Sequence, residues 1–131
     1  NVLLYAASND PAEQAKAHAA RALLERSDLG LSVQVLQEFY VQATRAGKAD
    51  AMSHDQAVLL VESFLRFPVQ ELTLAVVKAA FASKQRFRIS YWDAAIIEAA
   101  RALGCQLVLT EDLNDGQDYG GVTATNPFSN R

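Results

Sequence analysis

One cysteine, two histidines, one tryptophan and one methionine are all that 131 residues hold of those types. The lone Cys105 excludes an intrachain disulfide and fits a reducing, cytoplasmic setting. His18 and His54 fall on separate predicted helices without metal-ligand spacing, so surface positions are expected for both. Glycine numbers only six, and neither a glycine-rich phosphate loop nor a G-x-S-x-G nucleophile elbow occurs. Apolar runs such as 58–61 and 107–109 are far too short to span a bilayer, and no signal-peptide pattern is visible. An excess of positive charge is also missing. The net charge is −3, whereas nucleic-acid binders usually carry a basic footprint. That objection loses force if the acids concentrate in one pocket, where a divalent ion offsets them beside a phosphate.

What is present reads as one domain, 1–131, with half its residues apolar and about a fifth charged. No repeat, low-complexity tract or linker interrupts it. Asp10-Pro11-Ala12-Glu13 has the pattern of a capping box and predicts a helix to about Ser27. Ser32 caps a predicted helix over 33–46, ended by Gly47. Ser53-His54-Asp55-Gln56 is a second capping box, opening a helix to about Phe67 that Pro68 closes. Thr73 caps a helix to about Gln85, and Ser90 caps another to Leu103, with Gly104 just beyond. Short strands are predicted at 29–31, 69–72, 106–110 and 122–125. Cys105, entering the third of these, reads as a core residue rather than a nucleophile. Helices alternating with short apolar strands indicate a three-layer α/β/α domain with a mainly parallel central sheet. Such sheets place their sites at the carboxyl ends of strands, here the loop from Thr110 to Asp115.

Three groups of acids stand out. The helix from Tyr91 has only Asp93, Glu98 and Arg101 as charged residues from Trp92 onward, so it is expected to be buried on most sides. Glu98 and Arg101 share a face, expected to be the wet one. Asp93 lies about 140° around the axis from Glu98 and needs a partner or a metal. A third capping box, with Ser90, and the helix dipole account for it as well. Glu38 is the one acid of a valine-rich and aromatic helix whose other early polar residues are glutamines. A surface glutamate beside the apolar stripe explains it as well. Glu111, Asp112 and Asp115 crowd one loop without a basic neighbour, either as a solvated turn or as ligands for Mg²⁺ or Mn²⁺. These hard ions take oxygen donors, and Mg²⁺ needs only one or two protein carboxylates. Lys84, Arg86 and Arg88 form the densest basic stretch. They belong either to a solvated loop or to a grip on a phosphate backbone.

Several segments together resemble one family. Asn1-Val2-Leu3-Leu4-Tyr5-Ala6 is similar to the segment after the first catalytic aspartate of PIN domains, often written D-T-N-V-L-x-Y-A. Val35-Leu36-Gln37-Glu38-Phe39, Tyr91-Trp92-Asp93-Ala94-Ala95-Ile96-Ile97 and the loop from Thr110 to Gln117 resemble the segments bearing the second, third and fourth acids. The run from Gly121 to Phe128 is similar to the ending of VapC-type members. The resemblance implies Glu38, Asp93 and Asp112 as metal-holding catalytic acids. Asp115 is a further candidate and Thr110 a supporting hydroxyl. It implies Mg²⁺ or Mn²⁺, an RNA substrate, a homodimer and a small VapB-like antitoxin that inserts a segment into the site. It also turns Val2–Ala6, a strand on residue pattern alone, into a short helix. The family's first aspartate would stand two residues before Asn1, with the central first strand before it. Both are expected to be missing from this chain.

Three functional readings follow. The first is a metal-dependent endoribonuclease, the toxin of a VapBC-type pair. The second is a PIN-fold binding module with a dead site. The third is an aspartate-based phosphoryl-transfer domain. That chemistry places a lysine near its pocket late in the chain, and no lysine follows Lys84.

Overall fold

Hydroxyl side chains start most of the helices. In a computed structural model, which describes residues 1–129, Ser32, Ser53, Thr73 and Ser90 each accept a hydrogen bond from the backbone amide three residues on, at 3.0–3.2 Å. Each such cap stabilises its helix by about 1 kcal/mol. They open α3 (Val33–Ala43), α4 (His54–Phe64), α5 (Leu74–Phe87) and α6 (Tyr91–Ala102). Only Ser53 completes a capping box, through the Gln56 side chain.

The N-terminal segment departs from the residue pattern. Val2–Ala6 is a helix, α1, as the family resemblance implied. Asp10 caps a 3-10 turn over Pro11–Glu13, and α2 follows as Gln14–Leu23. The expected box there does not close. Glu13 takes the Ser8 hydroxyl at 2.7 Å, and the Asp10 amide turns to Ser8 as well. α2, α3 and α4 each end a few residues earlier than predicted. α5 runs on to Phe87 and ends at Arg88 in the left-handed conformation (φ 56°).

The strands are short. β1 (Leu31–Ser32) pairs in parallel with β2 (Val69–Gln70), and β3 (Leu107–Leu109) in parallel with β4 (Thr123–Thr125). The predicted orientation holds, but among the described residues no strand joins the two pairs into one sheet. Helix α6 spans them, packing on β1, β2 and β3, and most extensively on α5. Its small residues Ala94 and Ala95 meet Ala80 of α5, letting the two backbones approach closely. Its other buried side, through Ile97, joins Val108, Tyr119 and Val122. A separate cluster of Leu3, Leu36, Phe39 and Phe64 ties α1, α3 and α4 together. Cys105 is half-buried beside Gly30 rather than deep in the core.

The wet face expected for Glu98 and Arg101 holds for Arg101, whose side chain is 38% exposed, but not for Glu98. Glu98 is 7% exposed. It accepts hydrogen bonds from Ser83 of α5 at 2.6 Å and from Arg101 at 2.9 Å. Arg101 also donates to the carbonyls of Tyr119 and Gly120, at 2.6 and 2.5 Å. The i,i+3 pair faces a neighbouring helix and a loop, which supply the partners a buried carboxylate requires.

Candidate active site

The carboxyl end of β1 feeds directly into α3, and the carboxyl end of β3 into the loop that begins at Thr110. Between them the capped N-terminus of α6 presents Asp93. The Asp93 amide is satisfied by Ser90 at 3.0 Å, but its carboxylate does not return the bond. Among the described residues that half-buried carboxylate takes no hydrogen bond and no ion pair. The capping box is therefore only half made: the helix dipole favours a carboxylate in this first turn, but no described residue pairs with it.

Glu38 is exposed on α3, one turn beyond Gln34. Gln34 is buried, and its amide donates both to Glu38 Oε1 at 3.1 Å and to the Trp92 carbonyl at 3.2 Å. One side-chain amide thus ties Glu38 to the first turn of α6, at the residue preceding Asp93. The bond within α3 is of the i,i+4 kind, which brings such residues onto one face.

The crowded loop sorts its acids. Glu111 accepts from Tyr5 at 2.8 Å and from Lys16 at 2.9 Å. Partial burial pushes its carboxyl up, but the Lys16 and Tyr5 hydrogen bonds outweigh this and hold it below the usual glutamate range. Burial, then the Glu111 contact, raises the Tyr5 phenol. Glu111 is thereby a tie between this loop, α1 and α2. Thr110 accepts from the Asp112 amide at 3.1 Å, closing a tight turn that leaves Asp112 exposed. Asp115 accepts from the Asn126 amide at 2.9 Å, which binds the loop to the segment after β4. Lys84, Arg86 and Arg88 are exposed, and none forms an ion pair among the described residues. Lys84 and Arg86 lie on α5 rather than in a loop. Among the described residues no three histidine, cysteine or acidic side chains come together as a ligand group.

Two features of this corner were not singled out from sequence. Gln34 carries a signal in its spacing four residues before Glu38, but its bond to the Trp92 carbonyl depends on tertiary packing. The burial of Glu98 carries no local signal: Arg101 is its i,i+3 neighbour on α6, but Ser83 and the loop that covers the pair come from the fold.

The PIN domain family model matches residues 1–115, and the chain belongs to that family. PIN domains are three-layer α/β/α folds, and the family's members are generally nucleases that use divalent metal ions. The match includes Glu38, Asp93, Asp112 and Asp115 and stops before the final strand. No curated protein matches the chain. No helix among the described residues is long and apolar enough to cross a membrane.

Proposed function

We infer that the chain is a metal-dependent endoribonuclease whose acids Glu38, Asp93 and Asp112 hold Mg²⁺ or Mn²⁺, with Asp115 supporting the last loop. The observation that carries this reading is the Gln34 amide, which ties Glu38 to the first turn of α6, where the Asp93 carboxylate takes no hydrogen bond or ion pair from any described residue. The donors are all carboxylate oxygens, which suit these hard ions, and Mg²⁺ asks for only one or two of them. The absence of a three-residue cage is therefore compatible with the site. When bound, the ion would polarise a water and stabilise charge on a phosphodiester.

The remaining roles belong to the chain itself. Gln34 fixes the Glu38 carboxylate. The Ser90 cap fixes the start of α6 and with it the backbone of Asp93. Thr110 sets the turn that presents Asp112. Lys84, Arg86 and Arg88 offer positive charge to the RNA backbone just before that helix, which offsets the objection from net charge. The resemblance of the motifs to VapC-type members supports a cytoplasmic toxin that dimerises and is held by a VapB-like antitoxin.

Cleavage of a mixed RNA pool by the full-length gene product, with Mn²⁺ and then with EDTA, tests the reading. Cleavage that requires the ion and disappears in Asp93→Asn is expected. Cleavage insensitive to EDTA would contradict the metal site. A folded protein that binds RNA and never cuts it would favour the binding module.

A further inference from the structure

We propose that Trp92 is a stacking platform for an unpaired RNA base next to the phosphate at the acid site, a proposal that rests on the nuclease reading. Trp92 is the only tryptophan of the chain and is 64% exposed, on a helix whose next residues are mostly buried. Its ring is braced from one side. Tyr91 meets it edge-on at 5.0 Å, and Phe81 supports Tyr91 at 5.5 Å. Its backbone is fixed as well, because the Gln34 amide that holds Glu38 also holds the Trp92 carbonyl. Trp92 and Asp93 are consecutive in the first turn of α6, so their side chains diverge by about 100° around the axis. A base on the indole and a phosphate near the carboxylate can then belong to one strand.

The surrounding charge selects the occupant. Lys84, Arg86 and Arg88 precede the indole, exposed and free of ion pairs among the described residues. Aromatic rings beside a positively charged track are how single strands are held without reading sequence, since every base has a π-face. A protein partner is the other possible occupant, because Leu74 and Phe81 extend the apolar surface along α5. Lys84 and Arg88 follow Phe81 by three and seven residues and so share its side of α5, whereas Arg86 reaches toward Gly120; the two cations on the ring side favour the nucleic acid over such a partner.

Because Trp92 is the sole indole, its emission reports on its own surroundings. The full-length protein is titrated in EDTA with a short oligouridylate, with an abasic ribose-phosphate strand of equal length, and with duplex RNA. Saturable quenching by the oligouridylate alone is expected. Read by the anisotropy of a labelled oligouridylate, since these variants carry no indole, Trp92→Leu should weaken binding about ten-fold, while Trp92→Phe stays within about three-fold. Asp93→Asn should leave the quenching intact, which separates this proposal from the nuclease reading. Quenching without any cleavage upholds the platform and sinks the nuclease. Cleavage lost in Asp93→Asn with a silent indole does the reverse. Equal affinity for the abasic strand would overturn stacking. Emission that follows protein concentration and ignores oligonucleotide would assign the surface to self-association instead.

Discussion

Replacing Arg101 by methionine removes the charge from a buried carboxylate while keeping most of the apolar stem. Glu98 is 7% exposed. It would keep the Ser83 hydroxyl at 2.6 Å and lose the Arg101 bonds at 2.9 and 3.4 Å. Breaking a fully buried pair costs about 3–5 kcal/mol, because the surviving charge is stranded. Here the arginine side chain is 38% exposed, so water can reach the gap and the lower range for charged hydrogen bonds applies, about 2 kcal/mol. The freed Gly120 carbonyl lies at an exposed residue that water can serve, while the Tyr119 carbonyl belongs to a residue 1% exposed and adds to the loss. Urea unfolding should show the midpoint fall with an unchanged slope. Amide exchange should accelerate over 119–122. Adding Glu98→Gln should recover at least about 1 kcal/mol of the loss, since an amide keeps the Ser83 bond without a charge. A loss below about 0.5 kcal/mol, or a double variant no better than the single one, would refute the buried-pair reasoning.

Gln34→Leu should cost about 1–2 kcal/mol of stability through two lost hydrogen bonds, to Glu38 and to the Trp92 carbonyl, and weaken Mn²⁺ binding about ten-fold by releasing Glu38; unchanged affinity would remove Gln34 from the site. Asp50 accepts from Lys48 and from the Asn9 amide, and these bonds, Lys48 first, hold its carboxyl below the ordinary 3.8. A carboxyl lowered in the folded state stabilises above its unfolded pKa and ceases to do so as pH falls through the folded one. Asp50→Asn should therefore be less stable at neutral pH, and its deficit should shrink as the pH drops below 3.8; a deficit constant with pH would contradict this. Arg88 holds a left-handed conformation at the end of α5 (φ 56°), so Arg88→Gly should raise stability by about 0.5–1 kcal/mol, read by thermal melting.

Local rules made much of this molecule legible. Serine and threonine ahead of apolar periodicity located four helix starts to the residue, because a cap is satisfied within three residues of itself. The helix ends were less legible. α3 stops before Gly47, and α5 passes its predicted end to turn at Arg88, as packing rather than propensity decides the last turn. At Val2–Ala6 an apolar run gave no helical period in five residues, and only the likeness to related sequences corrected the reading. The acids divide in the same way. Asp93 stood out because it lies off the expected wet face of its helix, although a capping box with Ser90 explained it locally. Glu98 was misplaced because Ser83, which neutralises the cost of its burial together with Arg101, lies on another helix. Glu111 could not be separated from Asp112 by sequence, since Lys16 and Tyr5 reach it from elements about a hundred positions away.

The central claim is that Glu38 and Asp93 form one ion-holding corner. Calorimetric titration of Mn²⁺ into the full-length protein and into Asp93→Asn tests it most directly. Saturable binding by the native protein, lost in a variant that unfolds at the same urea concentration, is the expected result. Equal binding by both proteins would place the ion elsewhere and contradict the account.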